Sequence, residues 1–190
     1  MKYLIIDLEA TCSNDNSIRK EESEIIEIGA IIVEYNNGEY LEISEFSKFI
    51  KPMKHKISNF CTELTSITQS DVDEAKEFRE VYDEFIQWLY KYTDSKIPFC
   101  SWGNYDKNQL DKECLENGIE FKLMHHINIK KLFQKEQNLR RAVSMKKALQ
   151  IAGLQIDGTH HRGIDDAKNM RKLMPYIFGD EKIPRQYIGL

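Results

Sequence analysis

Apolar and polar positions follow two rhythms along the chain, and the rhythm changes partway through. Tyr3-Leu4-Ile5-Ile6 is a short unbroken apolar run, the pattern of a strand buried on both faces. Ser13 to Ser23 is polar apart from Ile18 and reads as a loop. Ile25 to Tyr35 is rich in Ile and Val and predicts a second strand. Asn36-Asn37-Gly38 predicts a tight hairpin, because two-residue hairpin turns need residues that accept positive φ. A third strand is expected over roughly Glu39 to Ile50, ended by Pro52. The period then becomes helical: Phe78, Val81, Tyr82, Phe85, Ile86 and Leu89 recur on one face. Pro98 to Trp102 reads as a short fourth strand, and Asn104 to Asn117 as a helix stopped by Gly118. His126 to Ile129 predicts a fifth strand. Helices are expected over Lys130–Gln137 and Met145–Ala152, the second stopped by Gly153. A last helix should run from Ile164 to Met174, where Pro175 ends or kinks it. A three-stranded meander followed by alternating helices and strands predicts an α/β layer structure with a mixed sheet. A purely parallel doubly wound sheet fits less well, because the first connection is a hairpin.

Length and composition narrow this picture. The chain has 190 residues, the size of one domain, here taken as residues 1–178 with a tail over 179–190. Its 41% apolar content supports an ordinary core and excludes collagen-like and wholly disordered classes. The longest apolar stretch, Ile28 to Val33, is too short to span a membrane, so no membrane association is expected. The N-terminus lacks the apolar length of a signal peptide, and the four cysteines show no zinc-ligand spacing. A cytoplasmic location with reduced thiols is the expectation. The net charge of −4 argues against binding nucleic acid through bulk electrostatics. One stretch departs from that balance: Lys122 to Lys147 carries eight Lys or Arg and only Glu136 as an acid. It reads either as a solvated helix face or as a surface that tracks a phosphate backbone.

The chemistry-bearing positions are acids and a histidine. Asp7 and Glu9 lie two apart where the first strand ends, so both point to one face and Leu8 to the other. Two carboxylates this close repel unless a cation neutralises them, and Mg²⁺ or Mn²⁺ takes oxygen ligands. The plainer reading is a solvated strand end. Asp106 opens the helix after the fourth strand, where a capping acid is common. Asp166 lies one turn before Met170 on the inward stripe of the last helix, with Leu173 and Met174, while Asp165 rotates outward. An inward acid demands a partner, and a metal is one. His161 approaches the same place only from a loop, where it suits a general base; a surface histidine pair with His160 is the alternative. Together the four carboxylates form a set able to hold two cations for phosphodiester cleavage. Phe60 and Tyr105 are candidate stacking platforms or core residues, Trp102 reads as core, and Cys12 as a structural thiol.

Asp7-Leu8-Glu9-Ala10-Thr11-Cys12, Glu24 to Ala30, Asn104-Tyr105-Asp106, and His161 to Asp166 with Asn169 together resemble the DEDDh 3′–5′ exonucleases, a DnaQ-like family. Phe60 to Gln69 (FCTELTSITQ) resembles the branch of enhanced-RNAi and histone-mRNA 3′-end exoribonucleases, which includes bacterial sporulation-inhibitor-type exonucleases. The resemblance spans Lys2 to Ile177. It implies a ribonuclease-H-like fold with a five-stranded mixed sheet flanked by helices, three strands antiparallel and two parallel. It implies Asp7, Glu9, Asp106 and Asp166 as ligands of two Mg²⁺ or Mn²⁺ ions and His161 as the base. Ala10 and Thr11 would hold the terminal 3′-hydroxyl, and Phe60, Leu64 and Tyr105 would pack on the last nucleotide with Thr65 nearby. The expected activity is metal-dependent removal of nucleoside 5′-monophosphates from single-stranded 3′ ends, RNA before DNA. A proofreading-type exonuclease, an oligoribonuclease and a non-catalytic nucleic-acid-binding regulator remain the alternatives. His160 and Asp165 share the spacing of His161 and Asp166; the helical stripe and the family pattern favour the second pair.

Overall fold

A computed structural model describes residues 1–93, 97–122 and 125–188. Five strands form one sheet in the order β3-β2-β1-β4-β5. They are β1 (Lys2–Ala10), β2 (Ile25–Asn36), β3 (Glu39–Phe49), β4 (Phe99–Ser101) and β5 (His126–Asn128). β1, β2 and β3 pair antiparallel, while β4 lies parallel to β1 and β5 parallel to β4. This is the expected mixed sheet. The β2–β3 hairpin closes through Asn37 and Gly38, at φ 51° and 88°, with Asn36 paired to Glu39. Positive φ at both central residues gives the turn the twist of the strands it joins.

Helices cover both faces. Leu4, Ile6 and Leu8 of β1 point to α3 (Phe78–Tyr90) and α4 (Tyr105–Glu116). The six apolar positions read from the helical period of α3 are all buried. Its aromatic and β-branched residues are middling helix formers, each about 0.5 kcal/mol below alanine. Burial stabilises each by about 1.5–3 kcal/mol, so the tertiary face decides that this segment is helical. Tyr3 and Ile5 point the other way, to α5 (Ile129–Glu136), α6 (Met145–Ile151), α7 (Gly163–Lys172) and α8 (Met174–Phe178).

Gly118 and Gly153 sit at φ 62° and 72° just beyond α4 and α6, where a left-handed residue ends each helix. Pro175 lies in the first turn of α8, so the last helix breaks there as its missing N–H requires. The segment after Gly179 packs back on the body: Ile183 is buried, and its N–H donates to Gln137 Oε1 at 2.8 Å. The periodicity did not reveal α1 (Asn59–Thr65), α2 (Gln69–Asp73), the 3-10 turn Lys20–Glu22 or α9 (Arg185–Ile188). Each is too short to show two turns of apolar repeat. Among the described residues no helix is long and apolar enough to cross a membrane.

Candidate active site

Strand alternation places Ile5, Asp7 and Glu9 on the face of β1 that α7 covers, with Leu8 in the opposite core. Across the ladder Asp7 pairs with Gly29 and Glu9 with Glu27, and the register slips between Glu9 and Ala10. Gly29 is required here. A Cβ on it would lie 2.0 Å from the carbonyl carbon of Gly163 and 2.1 Å from the nitrogen of Ile164. Gly163 in turn has the Asp7 carbonyl oxygen 2.8 Å from its own missing Cβ. The start of α7 thus rests directly on the backbone of β1 and β2, and one turn later Asp166 meets the two strand acids. Ligand oxygens of Asp7, Glu9 and Asp166 all lie within 4.8 Å of one another.

Asp106 joins from α4. It is buried, and its Oδ1 accepts the Leu8 N–H at 3.1 Å. β4 ends at Ser101, so that N–H has no strand partner and the carboxylate completes the ladder. Asp106 thus has one oxygen already engaged, and it lies near enough for its field to reach Asp7 and Glu9.

The electrostatics are those of a cation site. Burial, then the fields of Asp106, Glu9, Asp166 and Glu27, hold the Asp7 carboxyl well above its ordinary value. Burial followed by Asp166, Glu27 and Asp106 pushes Glu9 up to about 9. Burial raises Asp106 to about 6 against the opposing hydrogen bond from Leu8. Hard oxygen donors that repel one another in a buried place match the donor set of Mg²⁺ or Mn²⁺.

The loop before α7 carries both histidines. His160 Nδ1 lies 3.1 Å from each Asp166 oxygen, and the His161 backbone N–H donates to Asp166 at 3.1 Å. The two rings stack with centroids 4.0 Å apart. It is thus the His160 ring that engages Asp166, while the His161 ring stands beside it. Burial, then the neighbouring His160, lowers the His161 pKa, which favours the neutral imidazole, the form able to accept a proton. His161 adopts φ 65°, in the left-handed region that non-glycine residues rarely occupy.

The expected substrate contacts separate into two groups. Phe60 and Leu64 lie one turn apart on α1 outside the core, with Leu64 38% exposed. Tyr105 is 40% exposed, but Lys20 Nζ lies 5.8 Å from its ring centroid and covers it. Ala10, Thr11 and Thr65 are buried and already bonded. Ala10 C=O accepts from the Cys61 thiol, and Thr11 Oγ1 from the Glu24 N–H at 2.9 Å. Thr65 Oγ1 donates to Cys61 C=O at 2.8 Å. Trp102 packs on Phe133 and donates to the Val143 carbonyl. All four cysteines are free; Cys12 packs against Cys61, whose thiol its hydrogen bond lowers to about 7.

Glu27 and Arg162 lie within the motifs that carry the resemblance, but the sequence pattern assigns them no role. Glu27 is fully buried and pairs with Arg162, Nε to Oε2 at 3.1 Å. The signal was an acid inside the apolar run Ile25-Ile26-Glu27-Ile28.

Comparison with known proteins agrees with this geometry. Residues 4–174 match the exonuclease family RNase_T. The chain is 32% identical to ERI1 exoribonuclease 2 of Xenopus laevis over 93% of its own length, spanning 28% of that protein. It is 33% identical to the 3′-5′ exonuclease Snipper of Drosophila melanogaster, covering 90% of this chain and 68% of the relative. Among solved structures, the nuclease domain of 3′hExo, a DEDDh family member bound to rAMP, superposes with a TM-score of 0.83 at 27% identity. That likeness covers 94% of this chain and 92% of the other. The five-stranded mixed sheet is the expected ribonuclease-H-like one, and the chain belongs to the RNase_T exonuclease family.

Proposed function

We propose that this chain is a metal-dependent 3′–5′ exonuclease that hydrolyses single-stranded nucleic acid, RNA before DNA, to nucleoside 5′-monophosphates. The observation that carries the reading is the convergence of Asp7, Glu9 and Asp166 from two elements distant in sequence, with Asp106 beside them. The preference for RNA draws on the relatives named as exoribonucleases and on a solved 3′-exonuclease, 26% identical, described as recognising the 3′ end of a histone mRNA stem-loop.

The four carboxylates would hold two Mg²⁺ or Mn²⁺ ions. Bound there, the pair would polarise the last phosphodiester and acidify an attacking water. His161 would accept a proton from an attacking water, since burial and the neighbouring His160 favour its neutral ring and, unlike that of His160, it makes no hydrogen bond to Asp166. Phe60 and Leu64 pack on the terminal nucleotide, and stacking on the aromatic ring of Phe60 tolerates every base. Ala10 and Thr11 border the 3′-hydroxyl at the end of β1; both are buried and bonded, so a direct contact would need this strand end to open. The strand approaches along Lys130, Lys131, Lys135, Arg140, Arg141, Lys146 and Lys147, none of which makes an ion pair among the described residues. The field of Lys146 is felt at His161, which supports a path that passes this residue.

The test uses 5′-labelled single-stranded RNA and DNA in Mg²⁺, in Mn²⁺ and in EDTA, with Asp7→Asn alongside. Metal-dependent shortening from the 3′ end, absent in the variant, is the expected result. Cleavage in EDTA, or unchanged turnover by Asp7→Asn, refutes the reading.

A further inference from the structure

Glu27 is the one acid in the buried face of β2, and it stands directly opposite Glu9 in the ladder. Like charges at such a pair destabilise a sheet unless one of them is neutralised. The neutralising group is Arg162. Its Nε lies 3.1 Å from Glu27 Oε2 and its second nitrogen 3.4 Å from Oε1, while the Gly163 N–H donates to Oε2 at 3.0 Å. The other side of the guanidinium faces the Phe49 ring, 5.0 Å from its centroid. Arg162 is thus held from two sides by residues of β2 and β3. It is also the N-cap of α7 and the residue that follows His161.

His161 needs such an anchor. Its φ of 65° is a conformation that a histidine holds only when its surroundings over-determine it. On one side the Asp166 carboxylate receives its N–H; on the other the Arg162–Glu27 pair fixes the next residue. Without that pair Arg162 loses the ion pair that ties its side chain to β2, and Glu27 is left as an unpaired charge facing Glu9.

We propose that Glu27 and Arg162 act as one positioning unit that fixes the loop of the general base, so that Glu27 governs turnover through His161 without touching substrate. The proposal rests on the exonuclease reading above and on the role given there to His161. The pairing also leaves one uncompensated acid of the Glu9–Glu27 pair, Glu9, to face a cation.

The test is a kinetic cycle on single-stranded RNA with saturating Mn²⁺. Glu27→Gln keeps an acceptor for the Gly163 N–H and removes the charge that holds Arg162. It should lower kcat by about tenfold or more while KM stays within about twofold, because a misplaced catalytic group costs rate rather than binding. Arg162→Met should match it, and Arg162→Lys should keep part of the rate. In a His161→Ala background, Glu27→Gln should cost less than about twofold, since the two substitutions remove the same function. An equal loss in both backgrounds makes the pair merely structural and overturns the proposal, as does a wild-type kcat in Glu27→Gln and Arg162→Met. If Glu27→Gln does not fold by circular dichroism, the two Arg162 variants carry the same cycle. Asp7→Asn runs alongside: turnover retained there sinks the exonuclease reading, and turnover retained by His161→Ala sinks the base assignment and the proposal with it, whereas failure of the cycle alone sinks only the proposal.

Discussion

Substituting Gly29 by alanine tests how the site is assembled without touching a titratable group. The new methyl would meet the Gly163 carbonyl carbon at 2.0 Å, the Ile164 nitrogen at 2.1 Å and the Gly163 oxygen at 2.5 Å. Carbon atoms in good contact lie about 3.5–4.0 Å apart, so β2 and the start of α7 must separate by about 1.5 Å. Every opposing atom is backbone, and no side chain can rotate out of the way. Alanine also restricts the unfolded chain, a gain of about 0.4–1 kcal/mol that the clash exceeds. Overpacking commonly costs about 1–3 kcal/mol, and a backbone-on-backbone clash belongs at or beyond the top, about 4 kcal/mol. For a chain of this length each kcal/mol lowers the melting temperature by about 2–4 °C, so a fall of about 10 °C is expected. The same displacement carries Asp166 away from Asp7 and Glu9. The variant should therefore also lack the rise in melting temperature expected of the wild type in Mn²⁺. Thermal melting followed by circular dichroism, with and without Mn²⁺, measures both effects. A variant that melts within about 2 °C of wild type and keeps its full response to metal refutes the seating of α7 on Gly29.

Glu9→Gln reads the electrostatics. Burial and neighbouring acids raise the Glu9 carboxyl from 4.5 to about 9, so the folded chain binds its proton more tightly than the unfolded chain. A raised acid costs stability as pH climbs between those values, so in EDTA the variant should gain on wild type between about pH 5 and about pH 8. A gap that does not change with pH contradicts the assignment. Bound divalent metal would oppose the same repulsion, so the melting rise expected of wild type should be larger at about pH 8 than at about pH 5. Binding of single-stranded RNA by the Asp7→Asn chain should depend on salt. Adding Lys146→Gln and Lys147→Gln should reduce the slope of log affinity against log salt by about 1.4, at about 0.7 per lost phosphate contact. An unchanged slope places the backbone path elsewhere.

Much of the architecture follows from local pattern. The apolar run after Tyr3, the Asn37-Gly38 turn and the six-residue stripe of α3 each state their element, because period and turn stereochemistry are properties of neighbouring residues. The candidate ligands were legible for the same reason. Asp7 and Glu9 must share a strand face, and Asp166 must share the stripe of Met170. Local pattern does not carry distances between segments far apart in the chain. That the ring engaging Asp166 belongs to His160, that Lys20 covers Tyr105, and that Thr65 turns its hydroxyl into its own helix are outcomes of packing. So are the crossing of Gly29 over Gly163 and the pairing of Glu27 with Arg162, 135 residues apart. An acid within an apolar strand announces that it needs a partner, because an unpaired buried charge is too costly to keep. Which residue answers is decided only when the sheet and α7 close on each other.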